Sequence, residues 1–285
     1  MAFNLLPKYK VNEAFSIKFT AMTNQVLLHK AIQLVKEVGV FLKEEQFRIS
    51  AKDVDHKSLN SLVTYVDKRA EAMLVKGLSD LLPDSGFIAE EDTSDKKGEL
   101  YNWIIDPLDG TTNFIHQLPM YSISVALMKN TELDMGFVYL PHLDEFYHAI
   151  NGEGAFLNYK SIFVSDKEAI QDGLIATGFP YYDFKLLEEY NNTLSYFIRN
   201  TRGVRRMGSA AIDLVYVAAG KFEAFYEYNL NPWDVAAGAL IVAEAGGKIT
   251  QFDGGSDFIF GRSIIATNSK VHAHLQEVIN ENLPV

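Results

Sequence analysis

Two aspartates that follow an apolar segment are the residues of this chain best suited to chemistry. Asp106 and Asp109 lie on either side of Pro107, shortly after the apolar residues 103–105. A buried carboxylate without a partner is costly, so acids at the end of a buried strand usually bind a cation or accept hydrogen bonds. Gly110 allows a sharp turn, and backbone amides that open a helix after it would attract phosphate. The segment therefore predicts metal-assisted phosphate chemistry.

An isolated Asp-Gly turn would more often place both acids in water, but other stretches of the chain reverse that preference. Three further acid-containing stretches, together with residues 103–114, resemble the motifs of the inositol monophosphatase family and occur in the same order. The resemblance covers roughly residues 22–270, which is nearly the whole chain. The further stretches are residues 62–67, 86–91 and 233–238, the last followed by 244–247.

The resemblance implies a ligand set for two to three Mg²⁺ ions. Mg²⁺ prefers oxygen ligands, so neither histidine nor cysteine is required. By resemblance, Glu90, Asp106 and the carbonyl group of Leu108 hold the first ion. Asp106 then bridges to a second ion, which Asp109 and Asp234 complete, and Glu90 contacts a weaker third ion through water. The alternatives are a solvated acidic turn for Glu90 and a helix N-cap for Asp234.

The family pattern also assigns catalytic roles to Glu90, Thr111 and Asp67. The Thr111 hydroxyl group and Glu90 orient a water molecule for in-line attack on phosphorus, and Asp67 orients or polarises this pair. From the residues alone, Asp67 is more typical of a helix N-cap. No residue of these motifs resembles a covalent nucleophile, so direct attack by water is expected.

Substrate contacts are likewise implied by resemblance. Glu227 corresponds to the acid that binds sugar hydroxyl groups. Arg205 and Arg206 could pair with substrate, with an acid of a second subunit, or with solvent. Lys52 or Lys57 belongs to a polar loop that resembles the mobile flap of the family. The expected substrate-binding residues are Asp109, Gly110, Thr111, Gly208, Ser209, Ala210, Glu227 and Asp234.

These motifs predict hydrolysis of a small polyol or sugar phosphate monoester, with myo-inositol 1-phosphate as the preferred substrate, and inhibition by lithium. The alternatives with the same metal core are a 3'(2'),5'-bisphosphate nucleotidase and a fructose-1,6-bisphosphatase. Thr112 and Asn113 stand where the nucleotidase branch usually carries a lysine and an acid. A regulatory member of the fold that binds RNA or polymerase is the alternative from a different class. The complete set of acids argues against a protein that has lost catalysis.

Composition narrows the class of protein. The 285 residues are 48% hydrophobic, which excludes a disordered chain. The chain has no cysteine and shows no transmembrane span, so we expect a cytoplasmic protein without membrane attachment. The net charge of −11 disfavours nucleic acid as the main partner. Cations bound by the acids would make the local charge of the site positive, so that it could still bind a phosphorylated substrate. By resemblance, we also expect a homodimer.

Periodicity indicates which elements position the site residues. Helical spacing covers residues 24–45 and 63–82, and consecutive strands are expected at 121–128, 133–140 and 144–150. The second half alternates strands with helices. We expect an N-terminal extension at residues 1–21, flexible or packed, and one phosphatase domain at 22–285 made of two fused halves, about 22–160 and 161–285. The resemblance implies a layered α+β or α/β sandwich with alternating α-β-α-β-α layers, the sugar-phosphatase fold.

Overall fold

Helices and strands alternate along the chain in the computed structural model, which describes residues 13–49, 54–56, 62–180 and 184–283. The helices are α1 Glu13–Gln46, α2 Tyr65–Leu81, α3 Thr111–Ile115, α4 Leu187–Asn200, α5 Ala210–Ala218, α6 Pro232–Glu244 and α7 His272–Asn282. The strands of the first half are β1 Val54–His56, β2 Leu62–Thr64, β3 Gly86–Ala89, β4 Tyr101–Asp109, β5 Ser122–Lys129, β6 Glu132–Leu140, β7 Glu145–Ile150, β8 Gly154–Leu157 and β9 Lys160–Ser161. Those of the second half are β10 Leu174–Thr177, β11 Gly203–Arg205, β12 Ala224–Tyr228, β13 Lys248–Thr250 and β14 Ser263–Thr267.

The strands form two large sheets and one hairpin. The larger sheet has seven strands in the order β3-β4-β5-β6-β7-β8-β9 and is antiparallel except for the parallel pair β3 and β4. The smaller sheet has five strands in the order β11-β10-β12-β14-β13, with β10 parallel to both of its neighbours. Within the described residues, strands β1 and β2 pair with each other and with no other strand. The consecutive strands expected in the first half and the alternation expected in the second half are therefore confirmed.

Both faces of the larger sheet are buried, which explains the continuous apolar run before Asp106. Successive strand residues point to opposite faces. Trp103 and Ile105 pack with the side chains of α1 and α2 on one face, whereas Ile104 packs with α5 and α6 on the other. The sequence of a strand that is covered on both faces is continuously hydrophobic, whereas a strand with one exposed face alternates hydrophobic and polar residues.

Helices α5 and α6 form a layer between the two sheets. They share one core with Val138 of the larger sheet and Phe225 of the smaller sheet. Small residues let these backbones approach closely. A Cβ atom on Gly238 would lie 2.6 Å from the Leu214 side chain, and one on Gly136 would lie 2.8 Å from the carbonyl oxygen of Ala237. The central layer thus joins the two halves of the chain.

The outer face of the smaller sheet is covered by α4 and α7. Phe197 and Leu275 of these helices share a buried cluster with Tyr226 and Ile265 of the sheet. With α1 and α2 outside the larger sheet, the order of layers is α-β-α-β-α. The fold predicted from the sequence is confirmed.

Two predicted helices differ from the observed ones at their first residues. α1 begins at Glu13 rather than at residue 24, so it includes part of the expected extension. Residues 1–12 lie outside the described residues. α2 begins at Tyr65 rather than at residue 63, because Leu62–Thr64 is a strand paired with β1 and Thr64 caps the helix.

The strands that sequence patterns missed are short. Gly86–Ala89, within the motif at residues 86–91, is strand β3, and it lies parallel to β4. β9, β11 and β13 have two or three residues each, which is too few to show periodicity. No helix in the described ranges combines the length and apolarity that crossing a bilayer requires.

Candidate active site and metal centre

Acidic side chains from three separate parts of the fold line one cavity. Glu90 follows β3, Asp106 and Asp109 belong to the end of β4, and Asp234 lies in the first turn of α6. Because β3 and β4 are parallel, their carboxyl ends meet at the same edge of the sheet. The structure thus brings together all four of the acids predicted to bind metal.

A register shift in β4 explains how Asp106 and Asp109 face the same cavity. In a regular strand, residues three positions apart point to opposite faces. The register of the pairing between β4 and β5 shifts between Asp106 and Asp109. Pro107 lies within this irregular segment and has no N–H group to donate to the neighbouring strand. Irregularities of this kind redirect side chains next to functional sites. The predicted strand end at Asp106 is therefore wrong, because β4 continues to Asp109.

Asp106 lies at the buried end of the acidic cluster, among three other carboxylates. It is buried, and its Oδ1 atom accepts the N–H group of Leu108 at 2.9 Å. Burial, and then the negative charges of Glu90, Asp109 and Asp234, raise the pKa of its carboxyl group well above the ordinary range. A single hydrogen bond does not offset this crowding of like charges.

Asp109 connects the end of β4 to the start of α5. Its Oδ2 atom accepts the hydroxyl group of Ser209 at 2.6 Å and the N–H group of Ala211 at 2.8 Å. Ser209 is the N-cap of α5, so the carboxylate lies at the positive end of this helix. Burial nevertheless raises the pKa of Asp109 to about 6.

Asp234 occupies the third position of α6 rather than its cap. Asn231 is the N-cap, and its N–H group donates to Oδ2 of Asp234 at 2.6 Å. The interpretation of Asp234 as a possible N-cap, with a helix starting at Val235, is wrong because Pro232 already begins the helix. Burial and the charges of Asp109 and Glu90 raise the pKa of Asp234 well above its usual value.

This donor set fits Mg²⁺. In Asp106 and Asp109 the hydrogen bonds described above engage one carboxylate oxygen, which leaves the other to a cation. Divalent cations would also remove the mutual repulsion that raises these pKa values. Within the described part of the chain, no group of three or more histidine, aspartate or glutamate side chains is arranged to hold a metal ion by itself. An open arrangement suits an ion that retains several water molecules.

Thr111 and Asp67 form a hydrogen-bonded pair beside the acids. Thr111 is the first residue of α3, and its Oγ1 atom lies 3.0 Å from Asp67 Oδ1 and 3.1 Å from the carbonyl oxygen of Leu108. A hydroxyl group has one proton and donates to one acceptor at a time. Donation to Asp67 therefore leaves both the Leu108 carbonyl group and the lone pairs of Thr111 available in the cavity.

Asp67 does not line the cavity but lies behind Thr111. Its Oδ2 atom accepts the N–H group of Thr64 at 2.9 Å and the hydroxyl group of Thr64 at 2.6 Å. This is a capping box at the start of α2, in which Thr64 is the cap and Asp67 the third residue. Burial raises the pKa of Asp67. The interpretation of Asp67 as an N-cap is therefore wrong, because Thr64 is the cap, and the Oδ1 atom of Asp67 still accepts the hydroxyl group of Thr111.

Gly110 fits its position only without a side chain. Its φ of +96° is in the left-handed region. A Cβ atom there would lie 3.1 Å from the carbonyl oxygen of Met120 and 3.2 Å from that of Gly208. The short helix α3 therefore begins in close contact with the loop before α5.

The opposite wall of the cavity contains the expected substrate contacts. Gly208, Ser209, Ala210 and Glu227 all line it. Glu227 is buried, and this burial raises the pKa of its carboxyl group well above the usual value, although the charge of Arg206 opposes the shift. Of the two neighbouring arginines, Arg206 lines the cavity, whereas Arg205 is exposed and donates to a backbone carbonyl group. Lys52 and Lys57 lie outside the described residues.

Several lining residues were not expected from the sequence. Gly178 follows β10, and a Cβ atom there would collide with the carboxylate of Glu227. Asp213 lies four residues after Ser209, a helical spacing that could have revealed it. Its Oδ1 atom is buried without a hydrogen-bond partner. The other unexpected lining residues are Thr112, Phe179, Pro180, Tyr228, Asn229, Leu230, Asn231 and Trp233.

Asn113 links the two halves of the chain at the site. Its side-chain amide donates to the carbonyl oxygens of Met120 at 2.6 Å and Met207 at 2.8 Å. Asn113 is one of the two residues that differ from the usual pattern of the nucleotidase branch. In the structure its amide holds the loop before α5 against α3 instead of facing substrate.

Known proteins resemble this chain in sequence and in fold. The model of the inositol monophosphatase family matches residues 23–283. The chain is 38% identical to the inositol-1-monophosphatase of Rhizobium meliloti, covering 92% of this chain and 99% of the relative. It is 37% identical to the Nus factor SuhB of Pseudomonas aeruginosa, covering 91% and 98%. The solved structure of an IMPase from Thermotoga maritima superimposes with a TM-score of 0.84 at 35% identity, covering 91% and 98%.

Proposed function

Because the chain belongs to the inositol monophosphatase family, we propose that it is a Mg²⁺-dependent phosphatase that hydrolyses monoesters of small polyols or sugars, with myo-inositol 1-phosphate as the preferred substrate. The observation that supports this proposal best is the convergence of Asp106, Asp109 and Asp234 on one cavity beside Thr111. Asp106 is buried and Asp109 and Asp234 are half-buried. Burial and neighbouring negative charges raise the pKa values of all three carboxyl groups, so these acids are poorly placed without cations.

In this proposal the acids hold the metal ions and Thr111 orients the attacking water. Glu90, Asp106 and the Leu108 carbonyl group would hold one Mg²⁺, and Asp106, Asp109 and Asp234 another. The ions would neutralise phosphate charge, acidify water and stabilise the leaving oxygen.

Thr111 would donate its proton to Asp67, 3.0 Å away, and accept a hydrogen bond from water on its remaining lone pair. That arrangement fixes the direction in which water approaches phosphorus.

The far wall of the cavity would bind the alcohol part of the substrate. The carboxylate of Glu227 can accept hydrogen bonds from adjacent ring hydroxyl groups. Gly178 gives this carboxylate its space, since any side chain at that position would displace it. The amides that open α3 and α5 lie at the phosphate side, close to Asp109.

We expect phosphate release to stop after dialysis against EDTA and to return with added Mg²⁺. The same Mg²⁺ should raise the melting temperature, because the cations relieve the repulsion among buried carboxylates. Phosphate release and thermal unfolding are measured together, with KCl at matched ionic strength as the control. Activity that survives EDTA would reject the metal mechanism.

We expect Glu227→Gln to reduce selectivity for polyol phosphates rather than catalysis itself. Losing buried hydrogen bonds to substrate hydroxyl groups costs about 1–3 kcal/mol, or about 5- to 150-fold in kcat/KM. The variant should act on para-nitrophenyl phosphate, which lacks these hydroxyl groups, much as the wild type does. An equal loss on both substrates would contradict the assigned contact.

Measuring kcat/KM of the wild type on three substrates distinguishes the proposed activity from the two alternatives that share its metal core. The substrates are myo-inositol 1-phosphate, 3'-phosphoadenosine 5'-phosphate and fructose 1,6-bisphosphate. We expect the highest kcat/KM for the inositol ester. A tenfold preference for the nucleotide or for the bisphosphate would overturn the substrate assignment and leave the metal mechanism standing.

A second candidate function is regulatory, and the name of the Pseudomonas aeruginosa relative, a Nus factor, favours it. In this case the chain would bind RNA or polymerase. The net charge of −11 disfavours direct binding to RNA. Gel filtration of the protein with RNA polymerase and a gel shift with RNA test this candidate. A stable complex together with absent phosphatase activity would favour regulation over hydrolysis.

A further inference from the structure

Helix α2 carries two buried acids that are one turn apart. Asp67 and Glu71 are separated by four residues and therefore lie on the same face of the helix. Asp67 binds the hydroxyl group of Thr111, as described above. Glu71 reaches a different part of the site, namely the turn that follows Glu90.

Glu71 holds this turn with both of its carboxylate oxygens. Oε2 accepts the N–H group of Glu91 at 2.7 Å, and Oε1 accepts the N–H group of Thr93 at 2.8 Å. Between these two amides, Asp92 has a φ of +52°, a left-handed conformation that non-glycine residues adopt at a cost. The two hydrogen bonds thus fix the backbone that leads directly out of Glu90.

The burial of Glu71 is an expensive way to stabilise a turn. Its side chain is fully buried. Within the ranges that the structure describes, it forms no ion pair with a lysine or arginine. A buried carboxylate held only by amides gives up its hydration and gains no opposite charge. That cost is understandable where accurate placement of the adjoining backbone matters to function.

We propose that Glu71 is a positioning residue for Glu90, an inference that rests on the proposed function. Glu90 is anchored on one side by its own N–H group, which donates to the Ile105 carbonyl oxygen at 3.2 Å, and on the other by the turn that Glu71 holds. Since Asp67 holds Thr111, a single helix sets the spacing between the two groups that orient the attacking water. Supporting residues behind metal ligands typically contribute about 10- to 100-fold to metal affinity or activity.

The test is Glu71→Gln, which keeps the size of the side chain but places an amide donor against one of the two backbone N–H groups. We expect kcat to fall about 10- to 100-fold and the Mg²⁺ concentration for half-maximal activity to rise, with little change in KM. Two readouts do not depend on turnover. Amide hydrogen exchange at Glu91 and Thr93 should become faster, and calorimetry should show weaker Mg²⁺ binding.

Glu223→Gln is the matched control. Glu223 is also fully buried, and its carboxylate accepts the N–H group of Leu174 at 2.6 Å and the ammonium group of Lys167 at 2.8 Å, in the smaller sheet. We expect this variant to lose thermal stability but to keep wild-type kcat and Mg²⁺ binding. Glu71→Asp, which keeps the charge on a shorter side chain, serves as the second variant if Glu71→Gln does not fold.

A double variant with Glu90→Gln separates positioning from general stability. If Glu71 acts through Glu90, Glu71→Gln should weaken Mg²⁺ binding in the wild type and add nothing in the Glu90→Gln background. Wild-type Mg²⁺ binding and kcat in Glu71→Gln, with only a lower melting temperature, would overturn the inference. Absence of phosphatase activity in the wild type would reject the proposed function, and the exchange and calorimetry results would still decide the role of Glu71.

Discussion

Asp106→Asn is expected to abolish phosphate release while stabilising the metal-free protein. Asp106 is buried among Glu90, Asp109 and Asp234, and their charges raise its pKa. The amide keeps the shape and can still accept the N–H group of Leu108, but it removes one of these mutually repelling charges. The proposed site loses its bridging ligand at the same time, so stability without metal and catalysis should change in opposite directions.

The loss of activity should be at least about a hundredfold, because several kcal/mol of metal-based stabilisation would disappear and each 1.4 kcal/mol is a factor of ten. Kinetics at saturating Mg²⁺ and thermal unfolding with and without Mg²⁺ measure both effects. The control is Asp134→Asn, since Asp134 is a partly buried acid on β6 whose pKa is also raised by burial, yet it does not line the cavity. A variant that is active, or that melts lower than the wild type in EDTA, would contradict the expectation.

Thr111→Ala is expected to reduce kcat by about 10²- to 10⁴-fold, the range over which a correctly positioned proton-transfer group contributes. The Thr111 hydroxyl group is 3.0 Å from the buried carboxylate of Asp67. In our proposal it lies between Asp67 and the cavity and contacts the attacking water. Because no metal-ligand oxygen is removed, KM and the Mg²⁺ requirement should change little.

Thr111→Ser retains the hydroxyl group and provides the control, so it should keep most of the activity. Asp67→Asn should resemble Thr111→Ala in kcat, although it also weakens the capping box of α2 and lowers the melting temperature. Steady-state kinetics on the three variants distinguish these outcomes. If Thr111→Ala turns over at the wild-type rate, Thr111 does not orient the water.

The acids of the site could be predicted because the motifs that contain them resemble those of a known family. Glu90, Asp106, Asp109 and Asp234 were named from their motifs, and the structure places all four at one cavity. Their local geometry could not be predicted in the same way. The register shift in β4 depends on pairing with β5, which lies beyond any local pattern.

Other features depend on contacts between distant segments and so leave no local signal. Glu71 meets the turn after Glu90 across twenty residues of chain. The need for glycine at position 178 becomes evident only from its contact with the carboxylate of Glu227, which β12 places next to it. The start of α6 does leave a local signal, since Asn231-Pro232 is a recognisable helix opening three residues before Asp234.

The closely packed central layer has a kinetic consequence. In many two-lobed enzymes, substrate enters and product leaves as the lobes rotate apart on a polar interface. Here α5 and α6 are buried against both sheets, and backbone atoms of α6 lie against Gly136, so rotation would have to break a continuous apolar core. Exchange of ligands must therefore occur through the loops at the mouth of the cavity, and substitutions there should alter release rates without loosening the sandwich.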